Sequence, residues 1–182
     1  MIPNIGANML SVMLLLGMLA SSAAAQETTT DTGPSTLSET YESWTVQCAK
    51  TNTGGQTIRS CQISQELLQQ ETRQRVLLVA LAPKQGNGTT KATLVMPFGL
   101  LLSEGVRIEV AEKELLRGTF RTCMPGGCIS EIDFSDELIK QLQSNEKLTV
   151  VMTANDGQVV RTDVSLKGFS AAYKRLLALG AA

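Results

Sequence analysis

From Tyr41 onward, apolar and polar residues alternate over short stretches separated by turn residues. Trp44, Val46 and Cys48 alternate with Thr45 and Gln47, the period of two expected of a half-buried strand. Asn52-Thr53-Gly54-Gly55 is a turn, and a second strand follows over 58–67 with Cys61 and Ile63 on one side. Val76 to Leu81 is a continuous apolar run between Arg75 and Pro83, which suits a central strand covered on both faces. Lys84 to Thr90 reads as a loop and Lys91 to Met96 as the next strand. Pro97-Phe98-Gly99 interrupts it, and Leu100-Leu101-Leu102 is expected to resume as buried strand, with an exposed contact patch as the alternative. After the turn Ser103-Glu104-Gly105, Val106, Ile108 and Val110 alternate with Arg107 and Glu109. A further strand is expected over 115–122.

That strand enters Cys123-Met124-Pro125-Gly126-Gly127-Cys128. Proline presets φ and the two glycines accept positive φ, so this segment predicts a hairpin tip. Cys128, Ser130, Ile132 and Phe134 then share one face of the outgoing strand. Ser135 is placed to cap a helix, with Asp136 and Glu137 in the first turn, where the helix dipole favours carboxylates, and Leu138, Ile139 and Leu142 as its stripe. Strands over 147–153 and 158–166 flank Ala154-Asn155-Asp156-Gly157, a hairpin signal. Ser170 is placed to cap a last helix over 171–179, with Tyr173, Leu176 and Leu177 apolar and Gly180 as the stop. About nine short strands with frequent turns predict an all-β, β-sandwich-like domain of antiparallel strands with two short helices, one of them C-terminal.

The start of the chain changes the compartment. Met9 to Ala20 is an apolar run, followed by Ser21-Ser22-Ala23-Ala24-Ala25. This reads as a signal peptide over 1–25, with a short N-terminal membrane anchor as the disfavoured alternative, since the run is shorter than the roughly 20 residues a membrane span needs. No transmembrane segment is expected in the mature chain. Residues 26–40 are rich in Ser and Thr, with one large apolar side chain. Such a segment buries too little to offset its ordering entropy and is expected to be a disordered spacer. Residues 41–182 then form a single domain. The formal net charge is −1 and aromatic residues make up 4% of the chain, so nothing in the composition indicates a nucleic-acid surface.

The four cysteines, Cys48, Cys61, Cys123 and Cys128, all follow Ala25. An even count in an exported chain reads as a disulfide framework. Three connectivities exist, and the local pairs Cys48–Cys61 and Cys123–Cys128 are preferred. A zinc site on the four cysteines and a redox-active pair at Cys123 and Cys128 are the alternatives. The oxidising compartment disfavours the first. The hairpin setting disfavours the second, because thiol oxidoreductases open a helix with Cys-x-x-Cys.

The chain contains no histidine, which removes Ser-His-Asp and Cys-His triads and the usual zinc–histidine sites. Glu131, Asp133, Asp136 and Glu137 cluster in sequence and could supply a glycosidase-type pair. They read more simply as the outward side of a strand and the first turn of a helix. Neither these acids nor Asn155-Asp156-Gly157 has the ligand pattern of an EF-hand calcium loop. No catalytic, cofactor-binding or metal residue is expected, and no cofactor.

An ordered set of segments carries a resemblance. Trp44-Thr45-Val46-Gln47-Cys48 is followed by Cys61-Gln62-Ile63-Ser64-Gln65, then by Met96-Pro97-Phe98-Gly99-Leu100 with Gly105-Val106. Phe120-Arg121-Thr122-Cys123 with Gly127-Cys128 comes next, and Ser165-Leu166-Lys167-Gly168-Phe169 last. Over about residues 41–180 the chain resembles the invasion-associated locus B family of exported alphaproteobacterial proteins. The resemblance implies a periplasmic or outer-membrane/cell-surface protein without enzymatic activity, tied in pathogenic members to host-cell entry. It implies an unidentified protein partner in the envelope or on a host cell, and only the four cysteines carry over as site residues. The alternative function is a periplasmic thiol-disulfide or envelope-maintenance protein using Cys123 and Cys128.

Overall fold

Backbone pairing turns the alternation of the sequence into two antiparallel sheets. The computed structural model describes residues 36–83 and 89–180. The expected signal peptide, the first part of the spacer and most of the loop after Pro83 lie outside them. Among the described residues there are eleven strands: β1 (Thr36–Tyr41), β2 (Trp44–Thr53), β3 (Gln56–Leu68), β4 (Arg75–Ala82), β5 (Thr90–Met96), β6 (Val106–Val110), β7 (Lys113–Gly118), β8 (Phe120–Met124), β9 (Gly127–Phe134), β10 (Lys147–Thr153) and β11 (Val159–Ser165). Two helices, α1 (Asp136–Ser144) and α2 (Phe169–Gly180), complete the fold. The larger sheet has the order β1-β2-β3-β4-β5-β9-β8, and the smaller has β11-β10-β6-β7.

One core joins both sheets and both helices. Val46, Ile63, Val79 and Leu94 supply it from the larger sheet, Ile108 and Val150 from the smaller, Leu142 from α1, and Phe169 and Leu176 from α2. The apolar run of β4 is buried at Leu77, Val79, Ala80 and Leu81; Leu77, Val79 and Leu81 share one face and pack into the core. Helix α2 lies against β1, β2 and β3, whereas β7 touches β9. The helix and the smaller sheet therefore cover different parts of the larger sheet.

The chain crosses from one sheet to the other at Gly118 and Thr119. Gly118 pairs with Val106 in the smaller sheet, and Phe120 pairs with Ser130 in the larger. A Cβ at Gly118 would stand 2.4 Å from Ile132 Cδ1 and 2.9 Å from Ser130 Oγ, so a larger residue at the corner would have to push these side chains aside. The buried Ser130 hydroxyl donates to Thr119 O at 2.8 Å and fixes the crossing.

Several expectations change. The single strand expected over 115–122 is two, β7 and β8, because of this corner. Residues 36–40, expected in the spacer, belong to edge strand β1. That strand pairs with β2 from Thr36↔Ala49 to Tyr41↔Trp44, so backbone bonds and half-buried Leu37, Glu39 and Tyr41 hold a segment poor in apolar residues. Leu100–Leu102 is not buried strand. Leu100 makes one isolated bridge to Ala154, and 102–104 is a 3₁₀ turn, because the chain here passes between the sheets. Ser170 does not cap α2, which begins one residue earlier. The Ser170 hydroxyl instead donates to Gln143 O at 3.4 Å, towards α1. Ser135 caps α1 as expected, accepting from Leu138 N–H at 3.2 Å.

Candidate contact surface

Two of the segments singled out in the sequence hold a third. Trp44 on β2 and Gln65 on β3 both reach the end of β11. Trp44 Nε1 donates to Ser165 O at 2.9 Å, and Gln65 Nε2 donates to the same oxygen at 2.8 Å. Gln65 Oε1 in turn accepts from Ser165 N–H at 3.1 Å. The next residues turn into α2, where Phe169 meets Trp44 edge-on with ring centroids 5.2 Å apart and stacks on Tyr173 at 5.7 Å. Gly168, at φ +80°, lies so close to the β1–β2 turn that a Cβ would stand 2.0 Å from Tyr41 O. Arg175 on α2 makes two 2.8 Å bonds to the Glu39 carboxylate. This pairing and the Tyr41 hydroxyl hold Glu39 below its ordinary value. No sequence signal paired Gln65 or Trp44 with Ser165, because the partners are a hundred or more positions apart.

The cysteines pair as expected, Cys48 with Cys61 and Cys123 with Cys128. Each pair sits directly opposite across two neighbouring strands. Cys48, Cys61 and Cys128 are buried, and Cys123 is exposed at the hairpin tip.

The other acids have ordinary structural settings. Glu131 on β9 pairs with Arg121 at 2.5 Å and with Lys91 at 3.9 Å. Asp133 and Glu137 do come together, at a cavity of about 190 Å³ under α1. A backbone N–H and the Ser135 hydroxyl keep the Glu137 carboxyl below its usual range, the opposite of what a general acid needs. Asp136 lines a separate groove of about 800 Å³ between α1 and α2, with Ile139, Tyr173 and Leu177. Asp156 accepts from Gln158 N–H at 3.0 Å within its own turn. Among the described residues, no group of three or more His, Cys, Asp or Glu side chains could hold a metal ion.

The outer face of the smaller sheet is a polar ladder. Glu109, Thr149 and Asp163 stand side by side across β6, β10 and β11. Arg161 pairs with the nearly enclosed Glu109, and Lys147 with Asp163 at 2.8 Å. Thr149 Oγ1 also donates to Asp163, and these two bonds lower its carboxyl from the ordinary value. At one end of the sandwich the surface becomes apolar. Phe98, Leu102, Met124 and Val159 stand exposed there, on the segment joining the sheets and on two hairpins.

The family model described as invasion associated locus B (IalB) protein matches residues 44–177. The chain belongs to the invasion associated locus B family. It is 37% identical over 148 residues to an invasion protein B homolog of Brucella abortus (strain 2308), covering 81% of this chain and 83% of that protein. It is 36% identical over 151 residues to invasion protein B of Bartonella bacilliformis, covering 81% of this chain and 78% of that one. The crystal structure of invasion associated protein B from Bartonella henselae superposes with a TM-score of 0.69 at 29% identity, covering 79% of this chain and 97% of that chain. In the IalB-family chain described here, the β2, β3 and 165–169 segments that carried the resemblance are the ones that meet at the Ser165 junction.

Proposed function

We propose that this chain is an exported, non-enzymatic IalB-family protein. It works by protein contact within the cell envelope or at the cell surface, in host-cell entry, the process that the relatives' names point to. The observation that carries the reading is the use made of the segments on which the resemblance rests. Trp44, Gln65, Ser165, Gly168 and the four cysteines bind strands and helix to one another and leave the surface free for recognition. Residues 1–25 act as the signal peptide and direct the chain to the periplasm or the outer surface, where both disulfides form. The Cys123–Cys128 bridge supports this reading over a thiol-disulfide role, because the pair closes a hairpin instead of opening a helix.

The test is crosslinking of the exported chain in intact cells, followed by capture from envelope and host-cell extracts. One partner recovered reproducibly, and lost on competition with unlabelled chain, supports the proposal. Recovery of no specific partner from either source contradicts it.

A further inference from the structure

The groove between α1 and α2, about 800 Å³, falls within the roughly 300–1,000 Å³ of small-molecule sites. Each helix turns one stripe towards it. Ile139, Lys140 and Gln143 line it from α1, and Tyr173, Lys174 and Leu177 from α2, at the spacings of three and four that share a helix face. Thr90, the first residue of β5, lines it as well. Thr90 and Tyr173 are 4% and 7% exposed, and their hydroxyls share one hydrogen bond of 2.6 Å. Two hydroxyls carry two hydrogens, and that bond uses one. Neither hydroxyl makes another bond among the described residues. The second hydrogen is therefore left for an acceptor in the groove, and a buried donor gains by finding one.

We propose that this groove binds a small amphipathic carboxylate. The carboxylate accepts from the Thr90–Tyr173 hydroxyl pair and faces Lys140 and Lys174, and the apolar body lies along Pro83, Ile139 and Leu177. The charges select the sign. Lys140 and Lys174 come from opposite walls, and neither forms an ion pair among the described residues. Asp136 is the one acid among the described lining residues, so two lysines and one aspartate leave a single positive charge. Glu137, which feels Lys140 along the same helix, lines the other cavity under α1. A monoanion matches that single charge, whereas a dianionic phosphate would exceed it. Leu177 is 47% exposed, and an apolar body resting on it takes that surface out of water. The site needs no protein partner and stands apart from the contact reading above.

The test is isothermal titration calorimetry of the chain, purified from the periplasm of an expression host and freed of lipid. The probes are decanoate, decanol and decyltrimethylammonium. Decanoate should bind, decanol about tenfold more weakly, and the cation not measurably. Thr90→Val with Tyr173→Phe removes both hydroxyls and keeps their shapes, so thermal denaturation should change little. That double variant should bind decanoate about tenfold more weakly. Lys174→Met, at an exposed position, keeps the apolar stem and removes one charge. It should bind decanoate about threefold more weakly and decanol as wild type does. Wild type that ignores decanoate overturns the proposal, as does decanol or the cation binding as tightly. So does either variant binding decanoate like wild type, which would place the ligand elsewhere. The envelope crosslinking experiment tests the protein-contact reading separately.

Discussion

Trp44 Nε1 donates to the carbonyl oxygen of Ser165 at 2.9 Å, joining the start of β2 to the strand that leads into the last helix. Gln65 donates to the same oxygen from the other side. The junction fixes where the chain leaves the smaller sheet and lays α2 across the larger one. Trp44→Phe keeps the ring against Phe169 and removes one donor, for an expected cost of about 1 kcal/mol. Gln65→Ala also strands the Ser165 N–H and should cost about 1–3 kcal/mol. Because both bonds end on one oxygen, the double variant should lose more than the sum. Urea denaturation of the four proteins measures the coupling.

Gly168 should be the most sensitive glycine. A Cβ there meets Tyr41 O at 2.0 Å with φ at +80°, so Gly168→Ala must displace the β1–β2 turn or α2. The expected loss is about 3 kcal/mol or more. Gly157 has a similar φ of +85° but open space around it, and Gly157→Ala should cost about 1 kcal/mol. Comparing the two by thermal denaturation separates backbone strain from collision.

The two bridges should differ in weight. Cys48–Cys61 closes 13 positions and Cys123–Cys128 closes 5. In the chain-entropy view, Ser replacements of each pair should cost about 3 and about 2 kcal/mol respectively. Denaturation midpoints of the two double variants check the order.

Acid should loosen the tie between β1 and α2. The Arg175 bonds and the Tyr41 hydroxyl hold the Glu39 carboxyl below its ordinary value of 4.5 in the folded chain. Lys147, with Thr149, does the same for Asp163, whose ordinary value is 3.8. A depressed folded value contributes stability that is present above the unfolded value and lost as pH falls through the folded one. The melting temperature should therefore fall between about pH 5 and pH 2. Glu39→Gln should flatten that limb and leave the Asp163 contribution in place.

The sequence was most readable where burial is local and periodic. The alternations at Trp44–Cys48 and Val106–Val110 became β2 and β6, and Ser135 capped α1 as its neighbours required. It was least readable where the reason lies far along the chain. Strand β1 is held by β2 and by an arginine 136 positions away, so its own composition looked disordered. Leu100–Leu102 had the composition of buried strand. Leu100 and Leu101 are instead half-buried and Leu102 exposed, because the chain crosses between sheets here, with Gly99 at φ +85° and Gly105 at φ +66° turning it. The split at Gly118 depends on Ile132, a neighbour that only the folded sheet brings near. The apolar end was legible only as residue types, because which leucines stay exposed is decided by packing.

Intact-mass spectrometry of the native protein, before and after reduction and alkylation, tests most directly whether this is an exported domain locked by sulfur bridges. The account predicts a chain that begins after Ala25 and takes up alkylating reagent at its four cysteines only once reduced. A chain that keeps its first 25 residues and is alkylated at all four without reduction would contradict it.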